Sequence, residues 1–173
     1  MLALLRSAIR LIDRLSPPGT VRAHCDIPCG IYDPHLAQIG ALTCIRMNQL
    51  ITDLEAPTLD ANADDRKKFL NSYSRYVAVK EEHAELVKRE VRVIWGDYFK
   101  PEHLEKHPDL HATVWNIMKL GSKCRQNVDM QAAQDLLAEV QKFAEAFWAT
   151  KDAKTARQPS RQAVGGEIVV PTG

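Results

Sequence analysis

Three residues near the amino end combine donors that transition metals take readily. His24 and Cys25 are adjacent, and Cys29 follows in the run HCDIPCGIYDP. If the chain is cut after Ala23, His24 gains a free α-amine beside its imidazole. The α-amine nitrogen, the Cys25 amide nitrogen and the Cys25 thiolate then close two fused five-membered rings on one metal. Cys29, brought back by a turn at Pro28, adds a second thiolate, and the imidazole is left to bind axially. A planar set of two nitrogens and two sulfurs suits nickel or copper, whereas zinc prefers a tetrahedron. Copper has the higher raw affinity, so the donor set alone leaves the metal open. These donors must lose protons to bind, so loading weakens as pH falls. The bare spacing also reads as a local disulfide or an incidental thiol pair.

Other candidate groups carry less. His103, His107 and His111 recur every fourth residue, but Pro108 interrupts the spacing. They are read as a solvated face rather than a zinc site. Cys44 and Cys124 stand alone in helical stretches and are read as small core hydrophobes. Lys100 could draw an anion inward, although a single lysine usually only solubilises. There is no nucleophile–His–acid set and no glycine-rich phosphate loop.

These residues must be positioned by the rest of a 173-residue chain, enough for one domain with a real core. Hydrophobic residues make up 45% and charged residues 26%, with a formal net charge of +1, which gives no case for nucleic acid. Charge is unevenly placed. Residues 1–23 carry Arg6, Arg10, Arg14 and Arg22 against Asp13, a net of +3, leaving about −2 on residues 24–173. No apolar run approaches the ~18 residues that cross a membrane.

Residues 1–23 place Leu2, Leu5, Ile9 and Ile12 at helical spacing before Pro17, Pro18 and Gly19 end the pattern. Arg6 and Arg10 break the apolar centre that a secretory signal needs. Val21 and Ala23 suit cleavage before His24, so residues 1–23 are expected to be a pro-segment. A mitochondrial-type transit peptide and a retained surface or membrane-lying helix are the other readings. Helical spacing then covers Leu36 to Leu54, roughly Asp64 to Tyr98, about Asp109 to Lys123, and about Asp129 to Lys151. The second stretch is long enough to contain a break or bend. Its apolar side is read as Phe69, Tyr73, Tyr76, Val77, Leu86, Val87, Val91, Ile94 and Trp95. Residues 152–173 lose periodicity and are expected to be a disordered tail. The expected fold is all-α: an antiparallel four-helix bundle over 24–151 with an amino-terminal metal-binding hook.

The run HCDIPCGIYDP resembles the amino-terminal metal hook of the nickel superoxide dismutases. It matches the order His-Cys, two residues, Pro-Cys-Gly, one residue, Tyr-Asp-Pro. The stretch KEEHAELVKREVRVIWGDYFKPEHLEKHPDLH resembles that family's second long helix and the loop after it. The resemblance spans about residues 24 to 151. It implies a hexameric bundle that disproportionates superoxide to oxygen and hydrogen peroxide, with one nickel ion per subunit cycling between Ni(II) and Ni(III). It implies His24, Cys25 and Cys29 as metal ligands. Tyr32 and Tyr98 match tyrosines that limit access to the metal, and Asp26 matches a residue whose backbone amide faces the open side. Pro28 matches a proline after a cis peptide.

The sequence departs from the family at one pair. Where better-known members use Glu and Arg to orient the axial imidazole, this chain has Gly40 and His83. The expected partners are superoxide, further copies in a homohexamer and a maturation protease, with no nucleic acid and no stable membrane insertion. The expected location is bacterial cytoplasm. The rival readings are a non-enzymatic helical protein that binds zinc or copper, and a membrane-associated adaptor that keeps its first helix.

Overall fold

The computed structural model describes residues 30–172. Gly30 has φ +73°, a backbone conformation that glycine adopts without strain. This accounts for a glycine directly after Cys29.

Helix α1 runs His35–Thr52 and follows Pro34, with the His35 N–H donating to Asp33 Oδ1 at 2.7 Å. Its buried side is Ala37, Gln38, Gly40, Ala41, Leu42, Cys44, Ile45, Asn48 and Ile51. Helix α2, Ala63–Val93, is capped by Asn62, whose side-chain oxygen accepts from the N–H groups of Asp64 and Asp65, both at 2.9 Å. The two acidic residues in that first turn also suit the positive end of the helix dipole. The apolar side expected for this helix splits in two. Lys80, Ala84, Val87 and Val91 are buried, but no residue before Lys80 is. Leu70 is 62% exposed and Tyr73 40%.

The helical pattern does reach Tyr98, but its last turn, Ile94–Tyr98, is a π-turn closed by the Phe99 N–H on the Ile94 carbonyl at 3.3 Å. Pro101 then opens a short helix, α3, Pro101–Lys106. A proline fits the first helical position because that N–H needs no partner. The segment expected to be a punctuated loop therefore holds a fifth helix. Helix α4 is Leu110–Gln126, and α5 is Met130–Ala149, where Asp129 Oδ1 accepts from the Ala132 N–H at 2.9 Å.

The long helices are neighbours in a ring: α1 packs on α2 and α5, and α4 packs on α2 and α5. Their apolar sides meet in one core that includes Ala41, Val87, Ile117, Leu136, Val140, Phe143 and Phe147. Cys44 and Cys124 lie in it, fully buried and free. Burial pushes the Cys44 thiol up to about 12 and the Cys124 thiol up to about 11, so both stay protonated at neutral pH.

The expectation of a disordered tail is corrected. Lys154–Pro159 (β1) and Glu167–Thr172 (β2) form an antiparallel hairpin, with Ala156 opposite Val170. Its anchor comes from far away in sequence. Gln38 on α1 donates from Nε2 to the Val169 carbonyl at 3.0 Å and accepts the Val169 N–H at 2.6 Å. One buried side chain thus does for β2 what a neighbouring strand would do. Gln141 on α5 donates to the Glu167 carbonyl at 2.7 Å, and Arg157 pairs with Glu145 at 2.9 Å. Val169 is buried beneath. The segment lacks a stripe of its own because its partners are two glutamines on helices.

Two substitutions test these contacts. Gln38→Ala strands a buried N–H and a buried carbonyl, so it should lower stability by about 2 kcal/mol in urea unfolding. An unchanged midpoint would show that the hairpin holds without that amide. At Gly40 a Cβ would lie 2.8 Å from Val87 Cγ2 and 3.2 Å from the His83 carbonyl oxygen. Gly40→Ala should therefore cost ~1–3 kcal/mol. Adding Val87→Ala should return part of that loss; a purely additive double mutant would refute the contact.

Candidate metal centre

His24, Cys25, Asp26, Pro28 and Cys29 lie outside the described residues. Among the described residues, no group of three or more His, Cys, Asp or Glu side chains is placed to hold a metal ion. The donors whose chemistry fits nickel are those of the hook: an imidazole, two thiols, and the two main-chain nitrogens of His24 and Cys25. Cys44 and Cys124 do not fit it. They are sealed in the core and held as thiols, and a metal needs the thiolate.

The structure brings together the two tyrosines singled out in the sequence. Tyr32 stands three residues past Cys29, and its ring centroid lies 5.5 Å from that of Tyr98 at a 54° tilt. Tyr98 ends the π-turn. Its ring also meets Phe99 at 5.4 Å, His103 at 5.6 Å in a near-parallel stack, and Phe147 at 4.8 Å. Its hydroxyl lies 2.7 Å from Thr150 Oγ1, and Lys151 Nζ lies 5.3 Å from its ring centroid. Sequence reasoning does not find Thr150 and Lys151, because they come after the last turn of α5. The signal that could have found them is their place just past Phe147 in the helical stripe.

The three histidines are not one face. His103 packs on Tyr98, and its Nδ1 accepts the Lys100 N–H at 3.1 Å, which places any single ring proton on Nε2. His111 is exposed, and its Nδ1 accepts from Trp95 Nε1 at 2.9 Å. His107 is half-buried. Lys100 is exposed at the start of α3.

Gly40 and His83 are also near one another. The missing Cβ of Gly40 faces the His83 carbonyl. The His83 ring donates from Nδ1 to the Val79 carbonyl at 2.8 Å, so its tautomer is set and Nε2 is the remaining ring nitrogen.

Comparison with known proteins identifies the family. The profile of the family described as nickel-containing superoxide dismutase matches residues 19–151. The match ends before the hairpin begins. Proteins of Streptomyces coelicolor and Streptomyces seoulensis, each named superoxide dismutase [Ni], are 35% identical over 144 residues, covering 83% of this chain and 100% of theirs. A native nickel superoxide dismutase structure at 1.30 Å aligns with TM-score 0.63 and 34% identity, covering 74% of this chain and 99% of that one. An apo structure of that enzyme aligns with TM-score 0.61 and 32% identity, covering 72% and 100%. With both the profile and whole-length relatives at this level, the chain belongs to the nickel-containing superoxide dismutase family.

Proposed function

We propose that this protein removes superoxide with a nickel ion held by His24, Cys25 and Cys29. Two superoxide ions and two protons give one oxygen and one hydrogen peroxide. The observation that carries the reading is the intact hook, HCDIPCGIYDP, inside the matched region. Bound nickel would supply the one-electron exchange. The donors are the α-amine and imidazole of His24, the amide nitrogen and thiolate of Cys25, and the thiolate of Cys29. The amine becomes available only if the chain is cut after Ala23, so residues 1–23 are a pro-segment that a protease removes.

The other residues shape the surroundings. Tyr32 and Tyr98 form an aromatic wall that limits approach to a small diatomic anion. Asp26, by its match to the family motif, would contribute its backbone amide to the surroundings of the bound metal. Assembly into a homohexamer is supported by the first half of α2, which carries Leu70 and Tyr73 exposed and buries nothing in the single chain. Among the described residues no helix is long and apolar enough to cross a membrane. The arginine-bearing amino end, which breaks a secretory pattern, supports a bacterial cytoplasmic location.

Intact mass of the active protein should place its first residue at His24. Cys25→Ser and Cys29→Ser should each abolish both nickel retention and superoxide decay. Cys44→Ala should leave the nickel content unchanged, because its thiol is not a ligand. A native chain that still begins at Met1 and shows no superoxide decay, or one that retains zinc in place of nickel, would favour the non-enzymatic metal-binding reading.

A further inference from the structure

We propose that Thr150 is a positioning residue that fixes the phenolic proton of Tyr98 inward, so that Tyr98 meets its ligands as a hydrogen-bond acceptor. This rests on the reading that places Tyr98 beside the metal, and deepens it.

The argument is a count of protons. Thr150 Oγ1 lies 2.6 Å from the Phe147 carbonyl oxygen and 2.7 Å from the Tyr98 hydroxyl. A carbonyl cannot donate, so the short contact to Phe147 needs the one hydrogen that Thr150 has. The contact to Tyr98 then needs the phenolic hydrogen. The opposite polarity would leave two oxygens 2.6 Å apart with no proton between them. A phenol is also the stronger donor of the two hydroxyls.

Neither end of this relay is free to turn. Thr150 closes α5, with its N–H on the Ala146 and Phe147 carbonyls at 3.3 and 3.2 Å. The Tyr98 ring is held among Tyr32, Phe99, His103 and Phe147. The chain Tyr98 to Thr150 to Phe147 therefore has one direction, and it ends on a backbone carbonyl. The Tyr98 oxygen can hold a water or a hydroperoxide by accepting from it. It does not supply the proton that peroxide requires, which comes from water or another group.

The test uses the chain with labelled tyrosine (¹³C at Cζ) in the metal-free state, and the nickel-loaded mature enzyme. Thr150→Val keeps the shape and removes the hydroxyl; Thr150→Ser restores it. The Tyr98 Cζ resonance, assigned with Tyr98→Phe, should move in Thr150→Val and return in Thr150→Ser. Superoxide decay per nickel should fall about threefold in Thr150→Val and recover in Thr150→Ser. A resonance unmoved by Thr150→Val overturns the proton placement, whatever the rate does. A rate lost in Tyr98→Phe but kept in Thr150→Val overturns the role of Thr150 alone. A Tyr98→Phe enzyme with full rate overturns the placement of Tyr98 beside the metal, and with it any effect of Thr150 on turnover.

Discussion

The packing around Tyr98 is the constraint on which this end of the bundle depends. Three separate pieces of chain meet at this one ring: the segment after the hook through Tyr32, the π-turn with α3 through Phe99 and His103, and the end of α5 through Phe147 and Thr150. Aromatic pairs of this kind contribute ~0.5–1.5 kcal/mol each beyond their buried area. Four such contacts on a single ring hold it far more firmly than any one would. The π-turn is what lets them converge. One extra residue in a turn rotates the succeeding residues by about 100° relative to a continued α-helix. Without it Tyr98 would lie on a different side of α2.

The departure at Gly40 and His83 is best understood as one change. A glutamate at 40 needs a Cβ, and the space for that Cβ is taken by Val87 and by the backbone of His83. The close approach of α1 to α2 and the loss of the acidic side chain therefore go together. Once the acid is gone, an arginine at 83 would lose its partner. The histidine found there instead satisfies one nitrogen on its own helix, at the Val79 carbonyl. Each replacement is intelligible given the other, which is the mark of coupled positions.

Much of this was legible in the residues. The stripes of α4 and α5 keep helical spacing throughout, and Cys44 and Cys124 fall on buried faces as lone cysteines in helices do. The tyrosine pair was legible only through the hook that Tyr32 belongs to. Three features were not. Phe69 and Tyr73 continue the spacing of α2, but periodicity cannot say where the neighbouring helices stop. The hairpin has a single buried residue per strand at most, and it depends on Gln38, 131 positions away. A polar residue at position 38 looks like an exposed one until its two hydrogen bonds to Val169 are seen. Thr150 is one of many hydroxyls, and its meaning lies in a contact to a residue 52 positions earlier.

Cys44 and Cys124 show how burial decides the chemistry of a cysteine. A thiol ligates metals and reacts with peroxide as its thiolate. Cys44 and Cys124 are kept from that form mainly by the loss of water around them, and Lys80, the cation that lowers both, does not offset it. The Lys80 ammonium is itself drawn to the Asn127 carbonyl at the end of α4. A protein of a family that produces peroxide gains from this arrangement. The core thiols are shielded from oxidant and do not compete for nickel. With both core thiols sealed away, the packing of the bundle is insulated from oxidant reaching the surface.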